Sequence, residues 1–166
     1  MTYVVKGLDP KPYSALFGFS EEELAERGVV RMTVTDPTFP CRASLTDRAL
    51  GEKVLLLNHV SRDVANPYRA SHAIFVTEGA TQAAEYVDQV PPVFEPRVLS
   101  LRGFDKAGMM VDALLTQPGE ADAGIHKLFA NPEIETIHAH NATRGCFAAR
   151  IERNEDGEPC TDPRSA

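Results

Sequence analysis

The stretch Ile134-Glu-Thr-Ile-His-Ala-His-Asn-Ala-Thr-Arg-Gly-Cys-Phe-Ala-Ala-Arg-Ile-Glu-Arg153 decides the fold. Ile134 to Asn141 and Cys146 to Arg153 flank Ala142-Thr143-Arg144-Gly145 and read as the two strands of a hairpin. A four-residue loop would mix the two faces and set Glu135 against Glu152. A loop of odd length ending at Gly145 instead gathers Ile137, Ala139, Phe147, Ala149 and Ile151 on one face, because strand side chains alternate. The same register collects Thr136, His138, His140, Cys146 and Arg150 on the other face. The odd loop is therefore the expected one.

Upstream, Asp105-Lys106-Ala107-Gly108 suits a type I turn closed by a left-handed glycine, with Asp105 opposite Met109. That register pairs Leu101 with Ala113, Leu99 with Leu115, and Arg102 with Asp112, so apolar meets apolar and opposite charges meet. Between the hairpins, Ala121, Ile125, Leu128 and Phe129 repeat at i, i+4, i+7 and i+8, which predicts a helix with one apolar face, ended by Asn131-Pro132.

Nearer the start, Phe19-Ser20-Glu21-Glu22-Glu23-Leu24 is a capping box with a hydrophobic staple, predicting a helix from Glu21 to Arg27 that stops at Gly28. Strands are expected at Val29 to Thr35, at Val54 to Leu57 and at Ile74 to Val76. An irregular turn at Asp36 to Pro40 and an extended connection at Gln89 to Pro96 complete the reading. Short hairpins without regular strand–helix alternation point to an α+β fold: a largely antiparallel sheet of about five to seven strands, with two helices packed on or near it. Residues 1–153 are expected to form a single globular α+β domain, and 154–166, which hold almost nothing to bury, a mobile acidic tail.

Composition narrows the function classes. The chain has 17 Lys and Arg against 24 Asp and Glu, a net charge of −7. Neither nucleic acid nor an anionic membrane is an expected partner. Residues 152–166 carry −3 and the capped helix carries −3, so the remaining body is nearly neutral and leaves an anionic small molecule allowed. Met1 to Pro10 lacks the basic start and apolar run of a secretory signal, and no apolar run approaches a membrane span, so a cytoplasmic location is expected. Cys41, Cys146 and Cys160 are odd in number and widely spaced, which predicts reduced thiols.

Three sets of residues could carry chemistry. His138 and His140 point the same way along a strand, as a metal site needs, yet a third ligand from Cys146, Cys41 or His72 would be required, and a divalent metal is the cofactor to consider. Cys146 beside two imidazoles is a candidate nucleophile, with a histidine as general base. Arg42, Arg69 and Arg150, with Arg144 in the loop, could hold an anionic group if they converge. Nucleotide-loop, nucleophile-elbow and His-Glu-x-x-His patterns are absent.

Phe39-Pro40-Cys41-Arg42, Asn66-Pro67-Tyr68-Arg69-Ala70-Ser71-His72-Ala73-Ile74-Phe75-Val76-Thr77-Glu78-Gly79-Ala80, Gly108-Met109-Met110-Val111-Asp112-Ala113, His138-Ala139-His140-Asn141-Ala142 and Gly145-Cys146-Phe147-Ala148-Ala149-Arg150 stand in an order with a wider likeness. From Tyr3 to Arg153 the chain resembles a family of small bacterial proteins catalogued only as a domain of unknown function, number twelve-oh-three. The resemblance implies a single-domain cytoplasmic protein and brings no activity, cofactor or catalytic residue with it. The residues themselves favour a protein or enzyme that binds a small, anionic molecule in a His/Cys/Arg pocket on the last hairpin. The alternatives are a non-catalytic interaction domain in which those residues form a structural polar patch, and a metal-binding protein.

Overall fold

The computed structural model describes residues 2–154; the expected acidic tail from 155 onward, with Cys160, lies outside the described residues. Nine strands form two antiparallel sheets. The larger sheet has the order β5-β1-β9-β8-β6-β7, from β1 (Tyr3–Lys6), β5 (Glu85–Val87), β6 (Leu99–Phe104), β7 (Met110–Thr116), β8 (Thr136–Asn141) and β9 (Phe147–Arg153). The smaller has the order β2-β3-β4, from β2 (Val30–Thr33), β3 (Lys53–Arg62) and β4 (Ala70–Thr77). With two short α-helices, α1 (Glu21–Ala25) and α2 (Ala121–Phe129), and a 3-10 helix at Lys11–Gly18, the fold is mostly β with some helix. Strands β1 and β5, at one side of the larger sheet, have no counterpart in the sequence reading.

Helix α2 lies on the larger sheet as its periodicity predicts. Ile125, Leu128 and Phe129 are buried against Leu99, Leu101, Ile137, Ala139, Ala149 and Ile151. The connection before β6 is a set of turns and not an extended segment, because Val93 and Phe94 fold inward to complete this core. Helix α1 carries the full capping box: the Glu23 backbone N–H donates to Ser20 Oγ at 3.2 Å and the Ser20 N–H donates to Glu23 Oε2 at 2.7 Å. It lies beside edge strand β2 and sends Leu24 into a second core with Leu55, Leu57, Ile74 and Val76.

The first hairpin keeps its expected turn and changes its register, whereas the last changes its turn and regains its expected register. At Asp105 to Gly108, the Asp105 N–H donates to Met109 O at 3.0 Å and Gly108 has φ 81°, as expected. One residue later a bulge at Val111 shifts the pairing, so Leu101 faces Leu114 and Arg102 faces Ala113. The shift turns Leu114 toward α2 and leaves Leu115 outside at 65% exposure.

In the last hairpin the turn is the four-residue one: Gly145 N–H donates to Asn141 O at 2.7 Å, Asn141 N–H donates to Cys146 O at 3.0 Å, and His140 faces Phe147. A bulge at Ala148 then restores the odd register, pairing Ala139 with Ala149 and Ile137 with Ile151 and avoiding the Glu135–Glu152 clash. The core face keeps four of its five expected members. Phe147 crosses to the histidine face, and Cys146 leaves that face.

Gly124 sets how closely α2 approaches the sheet, since a Cβ there would strike Thr116 Cγ2 and come within 2.9 Å of Leu101 Cδ1. In a free helix, Gly to Ala gains about 1 kcal/mol. Here overpacking outweighs that gain, so Gly124→Ala is expected to lower the urea-unfolding free energy by about 1–2 kcal/mol. A stabilised variant would contradict the close packing.

Candidate functional site

The two sheets meet along one face of β8. That face carries His138 and His140, with Arg102 and Arg150 directly opposite His138 on β6 and β9, and Ser100 and Phe147 opposite His140. From the smaller sheet come His59 and His72, which face each other across β3 and β4. A bulge at Ser61 turns Arg62 onto the same side, where its guanidinium stacks 3.6 Å over the Phe104 ring. His72 and His140 rings lie 4.9 Å apart edge to face, and Phe147 packs against His59, His138 and His140 at 5.1 to 5.8 Å.

Three of the four imidazoles have a hydrogen-bond partner at Nδ1. Tyr13 Oη lies 2.7 Å from His59 Nδ1, Ser61 Oγ lies 2.9 Å from His72 Nδ1, and His140 Nδ1 lies 3.2 Å from Gly145 O. His138 is 2% exposed. Burial, then the charge of Arg62, pushes its pKa down to about 3, and burial, then Arg102, pushes that of His140 down to about 4. Both are neutral at pH 7. The His-x-His pair gains no further ligands: among the described residues no three His, Cys, Asp or Glu side chains gather in a way that could hold a metal ion.

On the opposite side of the Gly145–Phe147 segment lies a cavity of about 540 Å³. Arg42, Cys146, Asn141, Arg97, Asp47 and Arg144 supply its polar lining, and Phe75, Val98 and prolines supply apolar walls. Arg42 is 2% exposed. Its Nε donates to Phe147 O at 2.7 Å, its Nη1 donates to Pro40 O, and its Nη2 donates to Cys146 Sγ at 3.3 Å. Asn141 Nδ2 donates to the same sulfur at 3.2 Å. Arg97 is held by Asp47 through two bonds of 2.6 and 2.9 Å. Among the described residues no carboxylate pairs with Arg42 or Arg144. Three guanidiniums against one carboxylate make the cavity locally basic.

The residues singled out in the sequence thus divide. Arg42, Cys146 and Arg144 share the cavity; His138 and His140 line the intersheet seam; Arg150 sits at the edge of that seam, paired with Glu152 at 2.7 Å. Arg69 joins neither: it is exposed and paired with Asp63 at 3.0 Å. Cys41 is fully buried, with the Thr77 N–H donating to its sulfur. Arg97 and Asp47 are not legible in the sequence because only the tertiary fold brings them to the cavity, whereas the four-residue turn brings Asn141 to Cys146.

In the unfolded chain His138 takes a proton near pH 6.5, whereas folded His138 resists protonation to about pH 3. Its contribution is therefore complete above pH 6.5 and is lost as pH falls toward 3, about 3 kcal/mol between pH 7 and 4. Urea midpoints are expected to drop over this range, and His138→Phe, which keeps a ring between Phe104 and Phe147, to flatten the drop. An unchanged profile in the variant would place the acid sensitivity elsewhere.

No curated protein and no solved structure matches the chain. The family described as "Protein of unknown function (DUF1203)" matches residues 38–153, a span that holds all four seam histidines and every cavity residue except Pro37. That span is more than half of the sequence, and the chain belongs to this family.

Proposed function

We propose that this protein binds a small organic anion, a carboxylate, in the cavity between Arg42 and Arg144. The observation that carries the reading is Arg42: a guanidinium 2% exposed, on a cavity wall, whose partners are two backbone carbonyls and a sulfur. Removing a charge from water costs several kcal/mol unless an opposite charge or a full set of hydrogen bonds compensates. Carbonyl dipoles offset part of this cost and leave the net charge, so an incoming anion gains what a protein carboxylate elsewhere would supply.

The remaining lining agrees with this. Arg144 on the exposed turn offers a planar fork that suits a carboxylate. The Asp47–Arg97 pair is already neutralised, so it sets shape and hydrogen bonding more than charge. A volume of about 540 Å³ suits a small molecule and not a peptide or a nucleic acid strand. The seam histidines act in this reading as a neutral support behind the Gly145–Phe147 segment, not as acid–base groups. Free Cys41 and Cys146 suit a reducing cytoplasm.

Malonate is a suitable probe. Calorimetric titration at low salt is expected to give millimolar affinity, weakened about tenfold by Arg144→Ala, which removes a turn side chain from the cavity rim without touching the core. Equal heats for the two proteins, or none for either, would refute the carboxylate site.

A further inference from the structure

We propose that Cys146 is a nucleophile that forms a covalent bond with a carboxylate-bearing electrophile held in this cavity. This deepens the reading above and rests on it. Cys146 differs from a thiol packed for bulk: it is half-buried, it lines the cavity, and two N–H groups converge on its sulfur, one from a guanidinium. Pointing Asn141 Nδ2 at the sulfur leaves Asn141 Oδ1 buried without a partner among the described residues. Such donors stabilise negative charge on sulfur, and the thiolate is the reacting form.

The geometry divides the ligand between its two ends. Arg144 lines the same cavity as Cys146 and would take the carboxylate, while Arg42 and Asn141 contact the sulfur, so the reacting carbon would lie between the two groups. In the step itself the Cys146 thiol gives its proton to solvent, the thiolate pair forms a C–S bond, and the leaving group departs with the pair of the bond that breaks. No oxidant or metal enters.

Iodoacetate and iodoacetamide test this, because they share the reactive carbon and differ in charge. Each alkylates a thiolate with release of iodide, and peptide mass mapping of the full chain assigns the modified cysteine. At pH 7 and low salt, the ratio of the iodoacetate to the iodoacetamide rate constant at Cys146 is expected to exceed that of N-acetylcysteine by about tenfold. Arg144→Ala should return the ratio toward the reference. A native Cys146 that reacts with neither reagent overturns the proposal, and so does a ratio equal to the reference. Malonate titration of Cys146→Ser separates the two readings: anion binding that persists while alkylation shows no preference leaves the carboxylate site standing and removes only the nucleophile.

Discussion

Arg42 joins the two sheets at the point where the cavity forms. Its backbone N–H donates to Phe75 O of β4, its backbone carbonyl accepts from Leu8 N–H just past β1, and its Nε donates to Phe147 O of β9. One residue therefore ties the smaller sheet, the start of the larger sheet and the last hairpin together. A leucine could fill the volume but would leave the Phe147 and Pro40 carbonyls without donors. The guanidinium satisfies those carbonyls, and the consequence is a buried positive charge beside Cys146. Burial lowers the Arg42 pKa, with the Cys146 sulfur opposing the shift, yet a guanidinium remains charged throughout the physiological range. The basic cavity is thus tied to the connection between the sheets.

Local signals are legible in the sequence where they are closed within a few residues. The Ser20–Glu23 capping box, the Asp105–Gly108 turn and the apolar stripe of α2 each depend on neighbours in the chain, and each is present. Bulges at Ser61, Val111 and Ala148 were not legible, because a bulge is chosen by what the following residues must pack against. Ala148 is the decisive case. Alternation alone set Cys146 beside His138 and His140; one extra residue turned Phe147 to the histidines and Cys146 to Arg42. The fold class tolerates that shift, since Ile137 still meets Ile151. The site does not, because its membership depends on a single residue of register.

The net charge of −7 also acquires a location. On α1, Glu21 pairs with Arg31, which Glu78 after β4 also neutralises. The cavity holds three guanidiniums and one carboxylate, so an acidic protein presents a local positive field to small solutes. The seam adds Arg62, Arg102 and Arg150 around imidazoles that burial keeps neutral. Those charges add to burial in lowering the histidine pKa values.

The carboxylate proposed above enters the cavity between Arg42 and Arg144. The most direct measurement is the map of backbone amide shifts in the isotope-labelled full chain during malonate titration. The account predicts saturable shifts concentrated at Asn141, Arg144, Gly145, Cys146 and Arg42, with the β2 and α1 amides unmoved. Shifts scattered over surface lysines and arginines without saturation, or centred on the His59 to Arg62 segment, would contradict it.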